Sequence, residues 1–558
     1  MTSISFIEGL HRSFDEDLGP YLRKWIPISI AVGIVSGLGA IVFQLLLNLV
    51  WNISYDSYVM PWYVLLMLPA VGGLLAGIVM MRFAPETAGP GTDHVISSMH
   101  HDGGKIRGIV APVKMIASAL TIGTGGSSGN EGPISQISAS IASTIGTRMK
   151  LSRSEMRILV VAGMAAGWSA VFRAPLGSAI FAIEVPYKND FEGNAAIPSI
   201  ISSVTSYLVF VPFGGGGPIF SSDLTDVPIT ADLLSITLIL GAIIGLIGIL
   251  FVYLMKRVTG VFRGSKLPLP ATTFIGGFLV GIIGLEYPQI LGLGEGTIQL
   301  ILGGTTISIA LLIGILLAKM VATSFTVGSG GSGGIFFPSL IIGGAIGGSI
   351  ALLLNLQPYP LFVLVGMGAM MAGVSKTPIA AAVLVTEMVG GYVVLIPLMI
   401  ASTVSYLVSG KWSLYESQIT SCRIGVDFST LGGKKVKDIM SRDPVTVSST
   451  ASSRELMDIV RTHPHHIYPV VRDGRVEGIA TRDGILGHKG ELGQEQVQTG
   501  YHTIGPDASA VEAFEMMASK RLSTILVIEP LGGRVVGIVT RIDVFNAMEH
   551  MDERHHAF

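Results

Sequence analysis

The chain contains long apolar stretches and shorter ones that glycine or proline interrupts. Seven stretches are long enough to cross a bilayer, which takes roughly 20 residues per helix; they run near 25–51, 62–81, 195–213, 231–255, 270–285, 306–326 and 391–409. Shorter pieces near 109–122, 134–146, 157–185, 335–354 and 361–386 predict tilted or half-crossing helices. Irregular backbone at membrane depth is tolerated where it lines a water-filled cavity, so the pattern favours a transport pathway over a plain receptor bundle.

Two of the interruptions resemble each other. Residues 123–133 read GTGGSSGNEGP and residues 328–338 read GSGGSGGIFFP, each a glycine run ending in a proline that opens an apolar helix. Paired interruptions indicate inverted repeats with a site near the midplane of the membrane. The unbonded amides and the helix dipole at such a helix start favour an anion. The alternative interpretation is that both runs are glycine loops that pack helices together.

The character of the sequence changes from about Lys435, where charge returns and apolar runs shrink to strand length. An internal repeat follows, in which each unit predicts strand, helix, strand, turn, strand and helix. We therefore predict a membrane domain over 1–419, a linker over 420–434, and two α/β repeats over 435–490 and 496–558.

Composition narrows the classes of function. The chain is 49% hydrophobic and 13% charged, against about 25% charged in an ordinary soluble domain, which places most of it in the lipid bilayer. A net charge of -2 provides no basic excess for phosphates, so we expect no nucleic acid partner. The single cysteine, Cys422, excludes an internal disulfide framework and a cysteine-based metal cluster.

The positions of the histidines along the chain argue against an enzyme. Both glycine runs contain a GxSG pattern, which an intramembrane serine protease would need together with a base beside the serine. All twelve histidines lie before Asp102 or after Thr462, outside the core of the apolar region. The sequence also has no HExxH zinc motif. We therefore expect no enzyme activity, no metal and no required cofactor.

Five motifs follow one another along the apolar region: GPGTDHV, GNEGP, APLG with IFAIEV, GGIFFP and SLYESQ, starting at Gly89, Gly129, Ala174, Gly333 and Ser413. On these motifs the chain resembles, over about 20–419, the CLC family of chloride channels and proton-coupled chloride antiporters, followed by a tandem pair of CBS domains. The resemblance implies an all-α polytopic membrane domain of about 18 helical segments in two inverted repeats with broken helices, and an α/β tandem CBS domain. It also implies a homodimer with one pore per subunit.

The resemblance places Glu131 at the position of the gating glutamate, whose ionised side chain occupies an anion site and leaves it when protonated or displaced. A plain helix-capping acid is the alternative, but an intramembrane ionisable residue is functional by default. Backbone amides over 334–336 and the Tyr415 hydroxyl would contact the ion, although Phe336 could equally be core. The anion-binding residues that we expect, with chloride as the bound ion, are Pro90, Gly91, Gly129, Asn130, Gly334, Ile335, Phe336 and Tyr415.

The first motif departs from the family pattern at three positions. Most members have a serine, whose hydroxyl contacts the central anion, where this chain has Pro90. Plant members that prefer nitrate also carry proline there, so the physiological anion stays open between chloride and nitrate. Thr92 and Asp93 replace the usual isoleucine and proline, which predicts a differently shaped loop.

A second departure concerns the proton pathway. Val185 matches the position where antiporter members usually have their internal proton-transfer glutamate, and valine is typical of members that are passive channels. Glu184 is one residue away, about 100° around a helix. It is the doubtful alternative for a proton pathway; a buried acid that bonds a neighbouring helix is the other interpretation.

The resemblance to CBS domains implies an adenine nucleotide, such as ATP, in the cleft between the repeats. Thr540 would meet the phosphate and Asp543 the ribose hydroxyls, whereas the first repeat has Gly484 in place of that acid. A structural dimerisation module is the alternative.

The sequence thus predicts a gated, voltage- or pH-sensitive chloride channel that its CBS domains regulate. A proton-coupled chloride or nitrate antiporter and a non-conducting membrane sensor are the alternatives. We expect a multi-pass protein of the plasma or inner membrane with both termini in the cytoplasm.

Overall fold

The computed structural model describes residues 19–55, 61–222, 224, 227–304, 307–421, 431, 434–442, 444–463, 467–473, 475–486, 497, 499–520, 522–529 and 533–549. The chain divides into two compact units, Met1–Cys422 and Arg423–Phe558. Most of the predicted linker, 420–434, lies outside the described residues, as do 550–558 at the end of the predicted second repeat.

The described part of the first unit contains sixteen α-helices. The first eight are Gly19–Tyr55 (α1), Trp62–Phe83 (α2), Gly91–His101 (α3), Val110–Gly123 (α4), Glu131–Arg148 (α5), Arg153–Phe172 (α6), Pro175–Glu184 (α7) and Ala196–Gly214 (α8). The others are Ala231–Gly264 (α9), Leu269–Glu286 (α10), Glu295–Gly303 (α11), Ile309–Gly328 (α12), Phe336–Leu353 (α13), Tyr359–Ser375 (α14), Pro378–Val389 (α15) and Leu395–Ser409 (α16).

Nine helices among the described residues are long and apolar enough to cross a membrane. Seven coincide with the predicted spans; the other two are α6 and α13. The predicted piece 157–185 is interrupted as expected, between α6 and α7, whereas the piece 335–354 is a single helix. Helix α6 is continuous over 20 residues and α13 over 18. Both are mostly buried in protein. Their glycines therefore serve close helix contacts and do not break the helices.

The two halves of the membrane unit repeat one series of elements. Helices α4 to α8 correspond to α12 to α16, and in each series a glycine loop precedes the second helix. The helices that open on these loops, α5 and α13, both have 18 residues. A left-handed residue ends the third helix of each series, Arg173 in one half (φ 48°) and Lys376 in the other (φ 62°), followed by a proline-started short helix.

The described part of the second unit contains five helices and seven strands. The helices are Val436–Ile439 (α17), Ser453–Thr462 (α18), Arg482–Leu486 (α19), Ala510–Ser519 (α20) and Arg541–Glu549 (α21). The strands are Ser441–Arg442 (β1), Val447–Ser448 (β2), Ile467–Arg472 (β3), Arg475–Thr481 (β4), Thr503–Ile504 (β5), Thr524–Ile528 (β6) and Val535–Thr540 (β7).

The described residues of the second unit form two sheets, each with its own apolar core. The first sheet has the order β2-β3-β4 and the second the order β1-β7-β6-β5. Within each sheet a parallel pair, β2 with β3 or β5 with β6, is followed by an antiparallel hairpin. Tyr468 and Val470 lie in the first core, and Ile525 and Val527 lie in the second. The internal repeat in the sequence thus corresponds to two similar α/β layers.

The start of the predicted first repeat packs on the second repeat. The Val436 amide donates to the Ala508 carbonyl at 2.9 Å, and β1 pairs antiparallel with β7. The Val436 side chain is fully buried in the second core. Residues 434–442 therefore tie the beginning of this unit to its end.

Candidate functional site

The two glycine loops of the membrane unit contact each other directly. The Gly129 amide donates to the Gly334 carbonyl at 2.9 Å, and the Gly334 amide donates to the Gly129 carbonyl at 2.7 Å. This antiparallel bridge places the first turn of α5, which begins at Glu131, beside the first turn of α13, which begins at Phe336. Because each of these two N–H groups bonds the other glycine, Gly129 and Gly334 shape the site while later amides face it.

A third helix start joins the other two. A Cβ atom added at Gly132 would lie 2.9 Å from the Gly334 Cα and 3.4 Å from the Gly91 nitrogen, which only glycine allows. Gly91 is the first residue of α3, and Pro90 is its N-cap. Helices α3, α5 and α13 therefore begin at one point. Each helix start carries unbonded amides and partial positive charge, so this point favours an anion.

The Glu131 carboxylate lies at this convergence. Its side chain is 1% exposed, and its Oε1 accepts the Phe336 amide proton at 2.5 Å. The Glu131 carbonyl accepts the indole N–H of Trp168 at 2.8 Å, which fixes the backbone. Its Oε2 has no hydrogen-bond partner in the described structure. The carboxylate thus uses an amide that a free anion would bind, while one of its oxygens can still accept a proton.

Other polar atoms in the same loop also lack a partner among the described residues. They are the Ser128 Oγ and both amide atoms of Asn130, and both side chains are fully buried. Buried polar groups in native proteins are almost always hydrogen-bonded to protein or ordered water, and an exception calls for an explanation such as a bound ion. The loop therefore offers spare donors near Glu131 that suit an ion or a water.

Tyr415 lies with two of the other predicted residues at a small cavity. Ile335, Phe336 and Tyr415 line a space of about 10 Å³, together with Ser339 and Ser375. This is room for roughly one water-sized sphere. Tyr415 is 3% exposed, and its phenol lies beside the Thr92 side chain.

A larger cavity of about 540 Å³ adjoins the small one, because Ile335 and Leu414 line both. Pro90 forms part of its wall. Its charged and titratable lining groups are Asp93, His94, Lys256, Arg263 and Glu416. The predicted site residues therefore form two groups, one at the helix starts and one at the adjoining cavities, and Phe336 belongs to both.

Two buried lysines hold the backbone around the site. The Lys114 Nζ donates to the carbonyls of Thr87 and Gly89 at 2.9 Å, which fixes the segment that precedes Pro90. Lys319, its counterpart in the second half, donates to the Ile290 carbonyl at 2.9 Å. Both side chains are fully buried.

Val185 and Glu184 follow one another at the end of α7. Val185 is buried, and its carbonyl accepts the Gln418 side-chain N–H at 2.7 Å. The Glu184 carboxylate accepts the amides of Ala380 at 2.7 Å and Ile379 at 3.3 Å, at the start of α15. Both Glu184 oxygens therefore cap a neighbouring helix.

Sequence reasoning missed the residues that hold the segment around Tyr415. The Gln418 Nε2 donates to the carbonyls of Val185 and Ser375 at 2.7 and 2.8 Å. The Asp93 carboxylate accepts the backbone amide and the hydroxyl of Ser417. The one signal in the sequence was that position 93 departs from the family pattern.

In the second unit, the two residues predicted to bind nucleotide contact each other. The Asp543 Oδ2 accepts the Thr540 amide at 2.8 Å and its hydroxyl at 2.7 Å, and the Asp543 amide donates to the Thr540 hydroxyl at 3.2 Å. This is a reciprocal cap at the start of α21. In the first repeat the Gly484 amide donates to Thr481.

The fold is that of a polytopic helical membrane protein in which three helix starts converge on a buried carboxylate. The sequence matches the family described as voltage gated chloride channel over residues 72–410. It also matches the CBS domain over residues 436–491 and 495–550. The chain therefore belongs to the voltage gated chloride channel family, which transports anions, and carries a tandem CBS pair. The predicted resemblance and fold class are confirmed.

Relatives of both transport types resemble this chain. The voltage-gated ClC-type chloride channel ClcB of Escherichia coli is 31% identical over 374 residues, 65% of this chain and 86% of the relative. The H+/Cl- exchange transporter ClcA of Salmonella paratyphi A is 31% identical over 410 residues, 68% of this chain and 85% of the relative. A crystal structure of a slow cyanobacterial Cl-/H+ antiporter matches with a TM-score of 0.62 at 26% identity, covering 70% of this chain and 96% of that one.

Proposed function

We propose that this protein is a gated chloride channel in which Glu131 is the gate. The observation that carries the proposal is the Glu131 carboxylate on the Phe336 amide, where three helix starts meet. An anion can pass only when it displaces the carboxylate or when the carboxylate is protonated. Protonation weakens the bond because charge-assisted hydrogen bonds are roughly twice as strong as neutral ones.

The path continues from Glu131 to the two adjoining cavities. Phe336 lies at Glu131 and also at the small cavity with Tyr415, so an ion released from the first group of residues meets the second. The Tyr415 hydroxyl and the Ile335 amide are the donors that we assign to the inner ion, because the Phe336 amide bonds Glu131. We assign Tyr415 to the cytoplasmic end of the path, with the larger cavity as its vestibule. Asn130 and Ser128 contribute donors on the Glu131 side.

Val185 supports a channel over an exchanger. An aliphatic side chain cannot carry a proton, and the neighbouring carboxylate of Glu184 is held by the start of α15. Proton uptake by liposomes during chloride efflux measures the coupling. A channel shows chloride efflux without stoichiometric proton movement.

The second candidate is a proton-coupled chloride or nitrate antiporter. Its support is the similarity to ClcA and to the cyanobacterial antiporter. Proton movement in fixed ratio to chloride would establish this function instead. A purified protein that conducts no anion would leave the third candidate, a membrane sensor that signals through its CBS pair.

Substitution Glu131→Gln tests the gate. The neutral amide keeps the size of the side chain but loses the charge that competes with chloride for the Phe336 amide. We expect chloride affinity to rise about tenfold, a difference of about 1.4 kcal/mol, and flux to lose its dependence on pH. Isothermal titration and liposome flux measure the two effects.

The matched control is Glu86→Gln. Glu86 pairs with Arg107 at 2.7 and 2.8 Å in an exposed position, so its loss should leave both readouts unchanged. Unchanged chloride occupancy in Glu131→Gln would contradict the assignment of the gate.

Further expectations belong to the same proposal. We propose a homodimer with one pore per subunit, in the plasma or inner membrane, with both termini in the cytoplasm and no enzyme activity. An adenine nucleotide would bind at the second CBS repeat, where Thr540 and Asp543 would exchange their mutual hydrogen bonds for bonds to the phosphate and the ribose.

A further inference from the structure

The segment that carries Tyr415 is held from two directions. On one side the Leu414 amide donates to the Val374 carbonyl at 2.9 Å, and Gln418 bonds the carbonyls of Val185 and Ser375. On the other side Ser417 bonds α3. Tyr415 lies between these attachments, which fix its backbone, and its phenol lies beside the Thr92 side chain.

One attachment to α3 is made by a carboxylate. The Asp93 Oδ1 accepts the Ser417 backbone amide at 2.9 Å, and the Asp93 Oδ2 accepts the Ser417 hydroxyl at 3.1 Å. Both carboxylate oxygens act as acceptors, so a side chain without polar atoms at position 93 would lose both bonds. The bond joins residues 324 positions apart in the chain.

The same turn of α3 also contacts the helix that carries Glu131. The Thr92 and Ser135 hydroxyls lie 3.0 Å apart, and Ser135 donates to the Gly132 carbonyl at 2.7 Å. The Thr92 hydroxyl thus lies within hydrogen-bond distance of Ser135 and beside the Tyr415 phenol. The first turn of α3 therefore connects the Tyr415 segment to the start of α5.

We propose that Asp93 is a positioning residue that holds the Tyr415 hydroxyl at the inner anion site. The inference rests on the proposed function, in which Tyr415 binds the ion at the cytoplasmic end of the path. A donor that is held in place binds an ion without the cost of being ordered first. Pro90 supplies no hydroxyl in this chain, so the placement of the Tyr415 donor matters more here.

The charges around Asp93 provide a matched control. His94, Lys256, Arg263 and Glu416 face the same cavity. The Glu416 side chain is 54% exposed and lies 3.6 Å from the Lys256 Nζ. Glu416 precedes Ser417 directly but bonds no backbone of the Tyr415 segment in the described structure. Glu416→Gln therefore removes a neighbouring charge without removing the attachment.

The test is chloride flux through the full-length protein in liposomes, with the half-saturating chloride concentration measured separately from each side. In Asp93→Ala we expect the cytoplasmic value to rise about tenfold, as for the loss of roughly 1.4 kcal/mol, and selectivity for chloride over iodide to fall. The half-saturating chloride concentration on the Glu131 side should stay within about twofold of the wild-type value, because α5 and α13 keep their own contacts.

Ser417→Ala refines the test, because it removes the hydroxyl bond and keeps the backbone bond. Its cytoplasmic half-saturating concentration should rise by about threefold, and the double variant should match Asp93→Ala alone, since the two residues act through one contact. Glu416→Gln should have the half-saturating concentrations of the wild type. If Asp93→Ala does not fold, Ser417→Ala, measured from both sides, tests the inference.

Two results would overturn the inference: an unchanged cytoplasmic value in Asp93→Ala, or an equal change on both sides, which a general loss of structure would cause. Either result leaves the proposed function standing if wild-type flux still depends on Glu131. Absent or Glu131-independent wild-type flux would instead refute the proposed function itself.

Discussion

At the scale of single residues, backbone amides and a buried ammonium group supply the positive potential at Glu131. The Lys319 side chain is fully buried, and its Nζ donates to the Ile290 and Gly292 carbonyls. A cation that is held by carbonyl oxygens adds potential without leaving its place to follow the ion. Transport needs binding that is weak enough for release, and dipoles meet this requirement better than a mobile lysine.

Pro90→Ser is the residue-scale prediction for selectivity. Pro90 caps α3 in the wall of the larger cavity, so a serine there adds a hydroxyl donor at a helix start. One hydrogen bond contributes about 0.5–1.5 kcal/mol. We therefore expect the ratio of chloride to nitrate permeability to rise by about two- to tenfold, measured from bi-ionic reversal potentials.

Pro90→Ala is the control for that substitution, because it relaxes the backbone without adding a donor. An equal change in both variants would show that the loop conformation, and not the hydroxyl, sets the selectivity.

At the scale of elements, α7 and α15 cap each other. Glu184, at the end of α7, accepts the amides at the start of α15. Glu387, near the end of α15, accepts the Gly177 amide at 2.6 Å and the Leu176 amide at 3.3 Å at the start of α7. The two acids occupy equivalent places in the repeated series. A carboxylate at a helix start is stabilising, so these reciprocal caps stabilise the packing of α7 against α15 and thereby of the two halves.

This pair gives a prediction with an internal control. In Glu184→Gln or Glu387→Gln, an NH2 group replaces one of the two oxygens that accept helix amides. One helix amide then loses its acceptor, so the free energy of unfolding of each variant should fall by about 1–3 kcal/mol. Thermal unfolding in detergent should show a lower Tm for both. Chloride flux and its proton coupling should stay unchanged in both.

A change in proton coupling for Glu184→Gln alone would contradict the capping role. That result would place Glu184 in a proton pathway and favour the antiporter.

The sequence predicted some of the element boundaries, but it could not predict some of the contacts between elements. Apolar length identified seven of the spans, and the glycine runs identified the two loops that bond at Gly129 and Gly334. The sequence could not show that α6 and α13 are buried in protein, because an apolar helix surrounded by protein has the same composition as one in lipid. Asp93 and Ser417 meet only through the fold, and sequence spacing carries no information about a contact over 324 positions.

At the scale of the whole molecule, the repeated series explains why one site has two similar walls. Each half contributes a glycine loop, a helix that starts at the site, and a buried lysine that fixes a neighbouring segment. The halves meet at the Gly129 and Gly334 bridge, so the helix starts face one point from two directions. The family match covers this part of the chain, and the CBS match covers the second unit.

The central claim is that chloride crosses this protein passively past Glu131. The most direct test is the reversal potential of the reconstituted protein in a chloride gradient, repeated with an opposing proton gradient. Our account predicts a reversal potential that follows the chloride gradient alone, because Val185 offers no proton site. A reversal potential that shifts with the proton gradient would contradict it and establish coupled exchange.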